Sequence, residues 1–181
     1  MALKKSQRSL KAWTKQKWRT KSGKPSTQGR KATGERYLPE KAIKDTLGID
    51  TIGIGRNLQD RGISKEELDY MDIPNIEAVY EHGISERDAF YLASNDIAIV
   101  EDELARAHPC VYELDAVRQL IVMDMAFNMG VPRLCKFKKM WNAIHERKFD
   151  AAADEMLDSR WATQVKSRAV KLSNAMRKGE F

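Results

Sequence analysis

The sequence predicts an α+β protein, with a short glycine-punctuated β-segment followed by a mainly helical body. Three observations carry this prediction. Thr51-Ile52-Gly53-Ile54-Gly55 alternates with the period of a strand. Ser-x-x-Glu at Ser64 and Ser-x-x-Asp at Ser85 are helix-opening capping signals. Asp115 to Met129 is apolar on nearly every side, as expected of a helix enclosed by others.

Residues 1–34 form a basic arm with eleven Lys or Arg and no Asp or Glu. Ser6 to Thr20 has helical potential, with Leu10, Trp13 and Trp18 along one side, whereas Lys21 to Gly34 is rich in Gly, Ser, Pro and charge and reads as linker. Two readings of the arm stand open. One is contact with phosphates or another polyanion, with tryptophans available for stacking. The other is a solvated tail.

The run KDTLGIDTIGIGRNL, Lys44 to Leu58, places Asp45 before a turn carrying Gly48. Along the predicted strand, Thr51, Gly53 and Gly55 share one nearly bare face, and Ile52 and Ile54 share the opposite, core-directed face. Such a face, bordered by a carboxylate and a hydroxyl, suits the floor of an open cleft. A short helix is then expected over Ser64 to Met71, and a long amphipathic one from Ser85 to His108, carried by Phe90, Ile97, Val100 and Leu104 and ended by Pro109. Asp150 is the expected N-cap of a helix through Leu157, and Val165 to Met176 supplies an amphipathic closing helix.

With 181 residues, one domain over residues 35–181 is expected behind the arm. That body carries twenty-one basic and twenty-six acidic residues, so the net charge of +6 belongs to the arm and says little about the body's substrate. No stretch approaches ~18 consecutive apolar residues, so no membrane span is expected, and the N-terminus lacks a secretory h-region. Cys110 and Cys135 have no metal-ligand spacing, and His82, His108 and His145 are scattered, so neither metal nor other cofactor is expected. Gly53 and Gly55 lack the strand-to-helix turn of a dinucleotide fingerprint.

KDTLGIDTIGIG resembles the β-hairpin of the phage lysozymes, a glycoside hydrolase family. LDAVRQLIVMDMAFNMG (Leu114 to Gly130) resembles that family's central buried helix. Phe149 to Gln164, containing Ser-Arg-Trp, Arg168 and the closing MRKGEF extend the likeness, which covers about Lys44 to Phe181. The resemblance implies a lysozyme-like fold, a small β-hairpin lobe plus a mainly helical lobe. It also implies a muramidase that cleaves bacterial peptidoglycan by inversion. Asp45 then matches the general base and Thr51 the residue that positions water, while Asn57 and Phe127 take substrate-binding positions. For Phe127 a core side chain is an equal alternative. Asp124 and Asn128 read better as hydrogen-bond partners or caps than as catalysts, and Arg168 as either the partner of an acid or a surface arginine.

The general acid is where the chain departs from the family, whose Glu lies nine positions before the Asp. Here that position is Arg36, and Ile43 replaces the family's Tyr. Glu35 fits with a one-residue bulge and is the candidate acid, ahead of Glu40, which follows Pro39. Through GERYLPEKAIK the N-terminal segment also resembles a short basic phage module of unknown function. On that view the module has replaced the lysozyme's first helix, and the alternative function is a catalytically impaired protein docking on nucleic acid or an anionic envelope. A monomer is expected, acting from the host cytoplasm through a holin-like pore or carried in a virion.

Overall fold

The computed structural model describes residues 42–44 and 48–181. The arm, Glu35, Glu40 and Asp45 therefore lie outside the described residues. Three short strands, β1 (Ile43–Lys44), β2 (Asp50–Ile52) and β3 (Arg56–Asn57), make an antiparallel sheet in the order β1-β2-β3. The register pairs Lys44 with Asp50, Thr51 with both Ile43 and Asn57, and Ile52 with Arg56. Helices α1 (Lys65–Met71), α2 (Ile76–His82) and α3 (Glu86–Ala107) follow, then a 3-10 turn at Pro109–Glu113. The chain continues through α4 (Ala116–Met129), α5 (Val131–Leu134), α6 (Lys138–His145), α7 (Phe149–Leu157), α8 (Arg160–Val165) and α9 (Ser167–Lys178). This is the α+β arrangement that the sequence predicts.

The chain divides into two compact units, one through Asp96 and one over Ile97–Phe181, with the boundary inside α3. In the first, Ile52, Ile54 and Leu58 pack with Met71, Val79, Ile84, Ala89, Leu92 and Ala93. The core-directed isoleucines are thus where alternation puts them. The glycines are not. Gly53 and Gly55 belong to the β2–β3 turn, with φ of +58° and +107°, a region that glycine enters without steric cost. Gly53 does not form a bare floor either, because a Cβ there would stand 3.0 Å from the Ala89 Cβ. Its missing side chain admits α3, and the strand ends three residues earlier than the alternation suggests.

In the second unit, α4 is buried continuously from Ile121 to Ala126. α7 packs on α6 and α9, and α9 packs on α4. Arg118 fastens this unit. Its Nε and Nη2 donate to the carbonyls of Met176 and Arg177 at the end of α9, its Nη1 to Asp115 Oδ2, and its guanidinium lies 3.7 Å from the Phe149 ring centroid.

Both capping signals form as read. Ser64 and Glu67 each accept the other's backbone N–H on a side-chain oxygen at the start of α1, and Ser85 and Asp88 do the same at the start of α3. Asp115 caps α4 by accepting from Val117 and Arg118. Asp150 is not a cap: α7 starts at Phe149 with Lys148 in the N-cap place and no side-chain cap bond. The closing segment is broken at Lys166, whose φ of +49° separates α8 from α9. α2, α5 and α6 have no counterpart in the sequence reading. α5 holds only four residues, with Pro in its first turn, so it lacks a periodic pattern to read. Cys110 and Cys135 are free thiols.

Candidate active site

The hairpin presents two of the predicted residues as direct cross-strand partners, Thr51 on β2 and Asn57 on β3. Thr51 is half-buried and its Oγ1 donates to the Ile49 carbonyl at 3.3 Å. A hydroxyl has one proton, so with that proton committed Thr51 meets a further ligand as an acceptor. Asn57 organises the turn after it. Its Oδ1 accepts from the backbone of Gln59 and Asp60, both at 2.9 Å, and its Nδ2 donates to Asp60 Oδ2 at 2.8 Å. This Asx-type turn fixes the Asn57 side chain before any ligand arrives.

The two ends of the segment carrying Asp45 are fastened. Lys44 pairs with Asp50 across the sheet, and Lys44 Nζ donates to Asp50 Oδ1 at 2.9 Å and to the Gly48 carbonyl at 3.5 Å. The hydrogen bond and charge of Asp50 raise the Lys44 pKa, so that lysine stays cationic. Gly48 itself has a φ of +77°, the turn role its position suggests.

Beside this pair lies a network that sequence reasoning missed. The Arg56 side chain is 4% exposed, and all five of its N–H donors are used. Nε donates to Asp96 Oδ2 (2.9 Å), Nη1 to Glu67 Oε2 (2.9 Å) and the Gly62 carbonyl (3.1 Å), and Nη2 to Glu67 Oε1 (2.7 Å) and the Leu92 carbonyl (3.3 Å). Glu67 also accepts from Asn95 and the Ser64 backbone, and Asp96 from Arg61. Burial would raise the Glu67 pKa, but the hydrogen bonds from Arg56, Asn95 and Ser64 outweigh it and bring it to about 2. For Asp96, burial outweighs Arg56 and Arg61, and its pKa rises. The two partners of one guanidinium thus shift oppositely, because Asp96 is the more deeply buried and receives fewer hydrogen bonds than Glu67. One signal for this network was available: Glu67 is a capping-box glutamate whose two oxygens leave capacity for a second partner.

In the second unit, Asp124 is 3% exposed near the middle of α4, and both its carboxylate oxygens accept from Arg168 Nη2. Asp124 is thus a hydrogen-bond partner, and Arg168 is the partner of an acid. Asn128 likewise accepts from Trp161 Nε1 at 2.9 Å. Phe127, between them on α4, is half-buried. Among the described residues no group of three or more His, Cys, Asp or Glu is arranged to hold a metal ion.

The sequence profile of the family described as Phage lysozyme matches residues 37–178. The chain belongs to the phage lysozyme family. The family is one of glycoside hydrolases, and the chain's α+β fold is the lysozyme-like one. Over 144 residues it is 30% identical to "Probable T4-type lysozyme 2" of Dictyostelium discoideum, covering 75% of this chain and 85% of that protein. "Probable T4-type lysozyme 1" of the same organism is 28% identical over 150 residues, again 75% and 85% of the two chains. The pre-baseplate central spike protein Gp5 of Enterobacteria phage T4 is 26% identical over 147 residues, which are 74% of this chain and 24% of Gp5. The family match includes Glu40 and Asp45 and begins two residues after Glu35. Among the described residues no helix is long and apolar enough to cross a membrane.

Proposed function

We propose that this phage lysozyme family member is a muramidase, hydrolysing the β-1,4 linkage between N-acetylmuramic acid and N-acetylglucosamine of peptidoglycan during phage-mediated lysis. The observation that carries the reading is the family match over residues 37–178, together with the cross-strand pair of Thr51 and Asn57 on the hairpin that follows Asp45. Asp45 acts as general base and Glu35 as general acid, in the inverting mechanism whose two carboxyl groups stand ~6.5–9.5 Å apart to leave room for water. Thr51, its hydroxyl donating to the Ile49 carbonyl, accepts from that water. The water's second hydrogen then points to Asp45 and a lone pair is left for the anomeric carbon. Asn57 and Phe127 contact the glycan. The enzyme acts as a monomer without cofactor, crossing from the host cytoplasm through a holin-like pore or carried by the virion.

The test is clearing of outer-membrane-permeabilised bacteria by wild type, Asp45→Asn, Glu35→Gln and Glu40→Gln. Wild type is expected to clear the suspension and Asp45→Asn to abolish clearing. Glu35→Gln should cost ~10²–10⁴-fold, the worth of a positioned general acid, and Glu40→Gln far less. No clearing by wild type across pH and salt would refute the proposal. A second reading, a catalytically impaired protein docking through the arm on nucleic acid or an anionic envelope, is favoured by eleven cations without an acid in residues 1–34. It requires DNA binding with a steep salt slope that is lost on deleting residues 1–34.

A further inference from the structure

We infer that Arg56 is a positioning residue for the hairpin, its buried guanidinium setting where Thr51 and Asn57 stand. The inference rests on the hydrolase reading only in taking those two residues as the site. β2 has three residues and β3 two, and the turn joining them contains two glycines at positive φ. Strands this short do not hold a register by their own ladder. The residues of this hairpin that enter the core, Ile52, Ile54 and Leu58, contribute hydrophobic contact, which is non-directional and tolerates sliding.

Arg56 supplies the missing direction. It stands opposite Ile52 in the register and next to Asn57 in the chain, one position from the Thr51–Asn57 pair. Its planar fork meets both oxygens of Glu67, its Nε meets Asp96, and its last donors meet the carbonyls of Gly62 and Leu92. Bidentate charge-assisted pairs fix orientation as well as distance. The acceptors are themselves immobilised. Glu67 closes the α1 capping box and accepts from Asn95, and Asp96 sits on α3 and accepts from Arg61. One side chain therefore bolts β3 to α1, to α3 and to the loop that joins β3 to α1. Because a buried guanidinium needs every donor satisfied, alternative placements of β3 are penalised. Catalytic groups need placement within about 0.5 Å, a tolerance that a two-residue strand does not meet unaided.

The experiment compares wild type, Arg56→Lys and Arg118→Ala, each held well below its own unfolding temperature. Arg56→Lys keeps the charge and loses the fork, while Arg118→Ala is a destabilised control in the second unit. Turnover of soluble peptidoglycan fragments is expected to show kcat of Arg56→Lys reduced at least ~10-fold, since misplacement by 1 Å costs up to ~10²-fold, with KM changed far less. Arg118→Ala should keep the wild-type kcat. Hydrogen exchange should show the Leu58 amide, bonded to the Asp50 carbonyl at 2.8 Å, losing protection in Arg56→Lys while the Gly130 amide keeps it. Wild-type kcat and Leu58 protection in folded Arg56→Lys would overturn the inference, and so would an equal kcat loss in Arg118→Ala. Should Arg56→Lys not fold, Asp96→Asn, which weakens the Arg56 Nε contact together with the Arg61 pair and leaves the fork on Glu67, must show the same selective losses. A wild type without turnover refutes the hydrolase reading alone, and the exchange comparison then decides on Arg56.

Discussion

Replacing Arg56 by Met removes the shared cation of the buried network in the first unit. It leaves Glu67 and Asp96 buried without their shared counter-charge, and removing one partner of a buried ion pair costs about 3–5 kcal/mol. Glu67 keeps the bonds from Asn95 and Ser64, and Asp96 keeps Arg61, which holds the cost within that range. For a chain of this size each kcal/mol moves the unfolding midpoint by about 2–4 °C, so a fall of roughly 6–20 °C is expected at pH 7. The pH dependence identifies the cause. With its pKa brought down to about 2, Glu67 contributes stability that is full above its ordinary pKa and is lost as pH falls towards 2. In Arg56→Met most of that depression is gone, so the variant loses less on acidification and the two stability curves converge. The Asp96 shift has the opposite sign and softens the wild-type decline without reversing it, since only Glu67 is displaced by a large amount. Urea unfolding from pH 7 to pH 3 measures this. A loss below about 1 kcal/mol at pH 7, or a gap that widens in acid, would show that the network is not the anchor described.

Three further outcomes are expected. Gly53→Ala forces a side chain into positive φ and sets its Cβ 3.0 Å from the Ala89 Cβ, so chemical denaturation should show a loss of about 1–3 kcal/mol. Arg118→Ala removes the donors to the Met176 and Arg177 carbonyls, the Asp115 pair and the contact with Phe149, and should cost about 2–3 kcal/mol by the same measurement. His108 is stacked on Trp141 with ring centroids 3.6 Å apart, and burial, then the charge of His145, lowers its pKa. A histidine kept neutral by the fold contributes stability above its ordinary pKa that is lost as pH falls below it, and Trp141 fluorescence should change over the same range, an effect that His108→Phe abolishes.

What could be read in the sequence was local. Capping at Ser64 and Ser85 depends on residues three apart, so the motif contains its own partners, and the burial of α4 follows from its composition alone. The Thr51 and Asn57 assignments came through a hairpin of fifteen residues, and the structure pairs them directly. The failures arose where a local pattern fitted more than one structure. Gly53 and Gly55 fit a strand period and a turn equally well, and the choice was made by Ala89, thirty-six positions away. Asp150 has the chemistry of a cap, yet α7 begins one residue before it.

By itself the sequence determined the α+β order, the starts of three helices, the charge asymmetry of the arm and the likeness that led to a glycoside hydrolase family. Tertiary structure alone decided that Arg56 meets Glu67 and Asp96, eleven and forty residues away, and that Asp124 receives Arg168. The reason is physical. A buried charge is tolerated only beside its partners, and the chain reveals partners only when folding brings distant segments together.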